Sequence, residues 1–330
     1  MTRIPRLRRV ARAWRGPDED ERYLTTLHER SAPLPPGAEA ELSPDSPRLA
    51  ELRAAYAALD VPALRASRWR REAVEDFLDL RFFRGETLIT WHYREARRIT
   101  ELKFYVLLQA VRDRDALGLL DRLDEDGAFG CWTHDYPGHG RVSRDLLESV
   151  NEINHLERAL GLSDRDGFSV LDVGAGYGRL AHRMAEAFPG TLRDYCCVDA
   201  VPESTFVSEY YLRHRGCVPP ARVVRLDEVD AALRPGDFDL AVNVHSFSEC
   251  PLAAIEWWVE RLARLEVPSL LVVPNEPDRL LSLEADGSRE DFAPVLARAG
   301  YALSASEPVL ADPAARELVG VHDRFHLFSR

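Results

Sequence analysis

Asp172 and the glycines Gly174, Gly176 and Gly178 stand at alternate positions of the stretch Val170-Leu171-Asp172-Val173-Gly174-Ala175-Gly176-Tyr177-Gly178-Arg179-Leu180. An apolar run precedes them, and the helical spacing Leu180, Met184, Ala187 follows. Glycine lacks a Cβ, so such a turn adopts open backbone angles and brings its N–H groups close to a ligand at a helix start. The loop Gly174 to Gly178, with Ala175 and Tyr177 between the glycines, therefore reads as a cofactor cradle. The dinucleotide fingerprint G-x-G-x-x-G does not fit, because Arg179 stands where its last glycine belongs. The next apolar run, Tyr195-Cys196-Cys197-Val198, ends in Asp199 and Ala200, about twenty residues beyond Gly178. A carboxylate there can accept both hydroxyls of a ribose, so the spacing suits a nucleoside.

A third run, residues 221–226, closes on Asp227, for which a helix cap and a ligand contact are both open. Ligands of open α/β sheets bind outside the carboxyl ends of the strands. Two further strand ends are unusually polar: Asn243-Val244-His245-Ser246-Phe247-Ser248-Glu249-Cys250 and Pro274-Asn275-Glu276-Pro277. Histidine is the commonest side chain to take a proton from a hydroxyl, since its pKa lies near neutrality. Upstream, Trp91-His92-Tyr93-Arg94 and the loop from Phe129 to Gly138 bring Trp, His and Tyr together. Rings stack on C–H faces while polar groups meet hydroxyls. Trp91, His92, Tyr93, Trp132 and His134 are thus candidates to hold a sugar-like acceptor together with Asn275 and Glu276, with core anchoring as the alternative for Trp91 and Trp132.

The elements that position these residues fall into three parts. Residues 1–45 form an arm of arginines, then acids, then the prolines 33, 35, 36 and 44, which neither continue a helix nor pair inside a sheet. Residues 46–160 are mainly helical. Ser46-Pro47 reads as a helix start with Leu49, Leu52, Tyr56 and Leu59 on one face, followed by Ala73-Phe77-Leu80, Leu102 to Val111, and Leu146 to Leu160. Over 161–330, strands and helices alternate, the pattern of a doubly wound α/β sheet. Strands are predicted at Phe168–Val173, Tyr195–Val198, Arg222–Leu226, Phe238–Val244, Ser269–Val273, Tyr301–Glu307 and Arg324–Phe328.

With Asp172 in front, the string D-x-G-x-G-x-G resembles the class I S-adenosylmethionine (SAM) dependent methyltransferases. The run Cys196 to Asp278, with Asp199-Ala200-Val201-Pro202-Glu203-Ser204 and Val244 to Glu249, resembles the bacterial sugar O-methyltransferase family, as does the helical front with Trp91-His92-Tyr93 and Phe129-Gly130-Cys131-Trp132. The likeness covers most of the chain after about Ser46. It implies a Rossmann-like seven-stranded sheet whose last strand is antiparallel, a mainly helical N-terminal cap, and SAM as cofactor. It also implies that Asp227 faces the adenine, that Asn243 touches the cofactor, and that His245 and Glu249 lie beside the transferable methyl as base candidates. The implied activity is base-assisted, in-line O-methylation of a sugar or glycosylated small molecule in natural-product or polysaccharide biosynthesis. Methylation of nitrogen, carbon or carboxylate shares every cofactor residue, as does an inert SAM-binding subunit, so both stay open.

Composition narrows the partners. The chain has 330 residues, of which 45% are hydrophobic, enough for one large core or two smaller ones. A net charge of −12 argues against binding a phosphate backbone, so no nucleic-acid partner is expected. No apolar run approaches the ~18 residues of a membrane span, which leads to the expectation of a cytoplasmic protein with no membrane partner. Five cysteines without CxxC or Cys/His zinc spacing read as reduced thiols. His322 and His326 flank Asp323 in a strand-like run, a poorly defined ligand pair, so no metal is assigned. A small-molecule acceptor is the expected partner, and a homodimer is open.

Overall fold

The computed structural model describes residues 32–65, 67–71, 73–74, 78–85, 99–275 and 279–330. Most of the N-terminal arm, Trp91, His92, Tyr93 and Glu276 lie outside the described residues. Helix α1 (Pro47–Ala57) begins with proline at its first position and buries Leu49, Leu52 and Tyr56. Ser46 precedes it without a side-chain capping bond. Helix α2 (Ile99–Arg112) follows, then a short antiparallel hairpin of β1 (Thr133–Asp135) and β2 (Arg141–Ser143), part of the stretch expected to be loop. Helix α3 (Arg144–Leu160) is capped at one end by the Ser143 hydroxyl, which accepts from Leu146 N–H at 3.0 Å, and closed at the other by Gly161 in the left-handed region at φ 58°. Ala73 lies in a helical turn, as expected, with Val74 N–H donating to Arg70 O and Leu78 N–H to Val74 O, both at 3.0 Å, whereas Leu80 already stands in a turn; Phe77 lies outside the described residues.

The strands β3 (Phe168–Val173), β4 (Leu192–Val198), β5 (Ala221–Val224), β6 (Leu240–Val244), β7 (Ser269–Val273), β8 (Ala302–Pro308) and β9 (Arg324–Ser329) form one seven-stranded sheet in the order β5-β4-β3-β6-β7-β9-β8. The fold is Rossmann-like α/β, as expected. Every residue of β3 is buried, as a central parallel strand covered by helices on both faces requires. Between the strands run α4 (Arg179–Ala187), α5 (Pro202–His214), α6 (Leu252–Arg264), α7 (Ala293–Arg298) and α8 (Pro313–Val319). Strand β9 alone is antiparallel, pairing Val272 with His326. Its beginning therefore lies at the edge where β3 to β7 end, and this brings Asp323 to the site. No described helix is long and apolar enough to cross a membrane.

One buried core runs through the helical front and the sheet, from Ala38 to Phe328. At the join lies an ionic cluster. Glu125, fully buried, accepts from Arg84 at 2.8 Å and Arg183 at 3.2 Å, from the Ser143 hydroxyl at 2.6 Å and from Gly127 N–H at 2.9 Å. Burial works against its charge, but the two guanidinium groups and these donors outweigh it and hold the carboxyl at about 2. Removing one partner of such a cluster leaves the others buried and uncompensated. Glu125→Ala should therefore cost about 3–5 kcal/mol in a urea titration. Because the folded carboxyl titrates at about 2 against an ordinary 4.5, its stabilisation is present above pH 4.5 and lost as pH falls through 2. Unfolding midpoints that do not move in the variant would contradict this.

Candidate cofactor and active site

Over the carboxyl edge of the sheet lies a cavity of about 800 Å³, bounded by the ends of β3, β4, β6 and β7, the start of β9, and, from the helical front, residues between Arg53 and Leu64 together with Arg68, Trp69, Arg71 and Val74. That volume is ample for a nucleoside-sized molecule with a second small ligand. The turn after β3 forms one wall. Gly174 (φ 77°) and Gly176 (φ 59°) both line the cavity in left-handed backbone. A Cβ on Gly174 would overlap the Ser246 side chain, whereas a Cβ on Gly176 would meet nothing within 4 Å and would point into open space.

Asp199 ties this turn to the end of β4. Its Oδ2 accepts from Gly176 N–H at 2.9 Å and its Oδ1 from Val201 N–H at 2.8 Å. Burial pushes its carboxyl up to about 6 against these backbone donors. A carboxylate has about four acceptor sites, so capacity remains for hydroxyl donors from the cavity. Ala200 lines the same wall. Helix α1 closes the outer side. The Tyr56 hydroxyl accepts from Leu226 N–H at 2.9 Å and pairs with Thr205 Oγ1 at 2.8 Å, while Arg53 bonds Glu203 at 2.8 Å.

His245 follows the end of β6 at φ 66°, a region a non-glycine residue adopts at a cost of about 1–3 kcal/mol. Its N–H donates to Val273 O at 2.7 Å, which fixes the bend. The imidazole Nε2 lies 3.2 Å from Asp323 Oδ2, and both residues line the cavity. Burial disfavours the imidazolium, but the hydrogen bond and charge of Asp323 and the charge of Glu148 outweigh it, so the pKa lies above the usual histidine value. Glu249 is held on three sides, by Trp69 Nε1 at 2.5 Å, Asn275 Nδ2 at 3.2 Å and Arg68 at 3.4 Å. This carboxylate, amide, guanidinium and indole face the cavity together.

Of the residues singled out from the sequence, Gly174, Gly176, Asp199, Ala200, His245, Glu249 and Asn275 line this cavity. The others among the described residues do not, and each has another task. Asp172 is buried inside β3 and accepts from the Tyr195 hydroxyl at 2.9 Å, with burial pushing its carboxyl up to about 7. Ala175 continues the β3–β4 pairing through its N–H to Val198 O at 3.2 Å. The Tyr177 hydroxyl turns away to Asp145, and its ring packs on Phe83 and Tyr211. Gly178 allows α5 to approach, since a Cβ there would come within 3.0 Å of Ser208 Oγ. Asp227 pairs with Arg225 at 2.8 Å rather than reaching the cavity. Asn243 is fully buried and locks the β6 end to β3, donating to Val173 O at 2.8 Å and accepting from Phe247 N–H at 3.0 Å. Trp132 is a core residue, and His134 stacks on Phe104 at 4.2 Å. Sequence reasoning missed Tyr56, Trp69, Arg144, Trp258 and Asp323 as cavity residues.

No protein-family model matches the chain, and no curated protein does. Among solved structures it is similar to a SAM dependent methyltransferase from Aquifex aeolicus, at 18% identity and a TM-score of 0.39, over 52% of this chain and 87% of that one. It is similar to the magnesium protoporphyrin IX methyltransferase of Synechocystis with bound SAM, at 14% identity and a TM-score of 0.40, over 58% and 86%. It is also similar to the cyclase SpnF, at 16% identity and a TM-score of 0.42, over 69% and 93%. Similarity of this degree assigns no activity.

The two glycines of the turn predict opposite behaviour. Gly174→Ala should lose about 1–3 kcal/mol more than Gly176→Ala, because its methyl meets Ser246, which Asn243 holds in place. Gly176→Ala should show only the left-handed strain of about 1–2 kcal/mol in thermal unfolding, with its methyl intruding on the cavity instead. Equal losses of stability would contradict this geometry.

Proposed function

We propose that this chain is a SAM-dependent methyltransferase that methylates a hydroxyl of a sugar-like small molecule. The observation that carries the reading is that one cavity contains both the Gly176–Asp199 cradle and the His245–Asp323 pair. The residues fit the cofactor. Gly176 opens onto the cavity where a side chain would obstruct a nucleoside, and Asp199 offers a carboxylate to vicinal hydroxyls. SAM held there would supply a methyl activated by its sulfonium, so that sulfur could depart with the bonding pair. Everything else falls to the protein.

His245 takes the hydroxyl proton as the acceptor's oxygen is alkylated, a contribution of about 10²–10⁴-fold in rate. Asp323 fixes the ring and favours its protonated form, in the way a carboxylate orients the histidine of a catalytic pair. With Nε2 on Asp323, Nδ1 is the ring nitrogen we assign to take the acceptor's proton. Glu249, Asn275, Arg68 and Trp69 provide the mixture of acceptors, donors and an aromatic face that suits a polyhydroxyl ring. A carboxylate acceptor would need no base, and the His245–Asp323 pair favours a hydroxyl over it.

Calorimetric titration with S-adenosylhomocysteine tests the cofactor part. Binding should weaken as pH falls through about 6, where Asp199 takes up a proton and loses acceptor capacity. Asp199→Asn should bind at least about tenfold more weakly at neutral pH. No binding, or affinity independent of Asp199, would sink the reading. With SAM and a panel of glycosides, phenols, amines and carboxylates, turnover should rise with pH to a midpoint above 6.5, because only neutral His245 accepts a proton. His245→Ala should lower kcat by about 10²-fold or more with little change in cofactor affinity. Preference for an amine or carboxylate acceptor would overturn the hydroxyl assignment.

A further inference from the structure

Adjoining the large cavity at His245, Val321 and Asp323 is a small chamber of about 20 Å³. His245 and Asp323 line both spaces. The rest of the chamber's polar lining comes from one face of α3, namely Glu148, Asn151 and Glu152, against a wall of valine, leucine and phenylalanine side chains. A space of this size with several polar groups accommodates one water. Asn151 is 2% exposed; its amide nitrogen donates to Val309 O at 2.8 Å, while its Oδ1 has no partner among the described residues. A buried amide oxygen left in that state is costly unless a water serves it.

We infer that this chamber is a proton relay behind the site: an ordered water anchored by Asn151 links the His245–Asp323 pair to Glu152. The inference rests on His245 being the base. When the acceptor's proton enters the imidazole at Nδ1, the proton on Nε2 passes through Asp323 and the water to Glu152, which leaves the ring neutral as its Nδ1–H tautomer; after product leaves, Nδ1 gives its proton to water in the open cavity and Nε2 regains one from Glu152 by the reverse path. Glu152 is suited to receive it. Burial raises its pKa despite the two bonds from Arg179 at 2.8 and 3.0 Å. Glu148, bonded to Arg144, stays ionised and steadies the imidazolium across the chamber. The charged groups facing His245 are thus Asp323 before β9, and Glu148 and Arg144 from α3, with Glu152 and Arg179 beyond.

The test uses the whole chain without SAM or acceptor. A crystal structure resolving ordered water should show one within hydrogen-bond distance of Asn151 Oδ1 and of His245 or Asp323; a dry chamber would overturn the inference. In ¹⁵N NMR of histidine-labelled protein, Asn151→Leu, which fills the chamber, should slow solvent exchange of the His245 Nε2 proton by roughly tenfold. Glu148→Gln, which keeps an acceptor for Arg144, should lower the His245 pKa by about half a unit. Unchanged exchange in folded Asn151→Leu would refute the relay, and an unmoved His245 pKa in Glu148→Gln would refute the coupling. Neither readout depends on methyl transfer, so failure here with intact S-adenosylhomocysteine binding removes the relay alone. Loss of that binding with the water and exchange effects present removes the proposed function instead.

Discussion

The site depends on one buried carboxylate that must find donors. Asp199 sits at the end of β4 with little access to water, and it is satisfied by the N–H of Gly176 from one crossover and that of Val201 from the next. A buried carboxyl without such donors would be strongly penalised. The arrangement therefore holds two βα turns in register and, in the same act, presents the carboxylate to the cavity. Gly176 takes part because only an open, left-handed backbone lets its N–H point at Asp199 while leaving the space above it free. The same economy holds at the neighbouring strand end, where Asn243 binds Val173 O and Phe247 N–H and so sets the bend that carries His245.

The helical front completes what the sheet cannot enclose. Helix α1 is fastened to α5 and the β5 end by Arg48–Glu209 at 2.6 Å, Arg53–Glu203 at 2.8 Å, Arg225–Glu51 at 2.7 Å and the Tyr56 hydroxyl. Partly exposed pairs of this kind add little stability and are weakened by salt, so the apolar contacts of Leu49 and Leu52 hold the helix while the pairs orient it. Enclosure reduces water around a developing charge, which strengthens the interaction of His245 with Asp323.

Much of the fold could be read directly. Strands β3 and β7 begin and end where the apolar runs do, and the other five are displaced by a few residues at their ends. Hydrophobic runs bounded by turn residues report buried parallel strands well. Side-chain direction within the glycine turn could not be read in this way. Asp172, Tyr177 and Gly178 belong to the same short string as Gly176, yet the first two point into protein and Gly178 makes room for α5, because alternation breaks down once the strand ends. His134 and Trp132 have the composition of a ligand loop but pack as a hairpin against α2 and the core. Asp323 was within reach of sequence reasoning: an antiparallel last strand starts where its parallel neighbours finish, so the residue before Arg324 belongs beside His245. Tyr56 and Trp69 were not, since helical periodicity tells which face is apolar and not which crevice it covers.

The central claim is that the Gly176–Asp199 cradle and the His245–Asp323 pair serve one bound cofactor. A crystal structure with S-adenosylhomocysteine tests it most directly. The account predicts ribose hydroxyls on the Asp199 carboxylate, the nucleoside passing over Gly176, and the sulfur directed toward the part of the cavity that His245 faces. A nucleoside bound away from Asp199, or a sulfur directed away from His245, would contradict it.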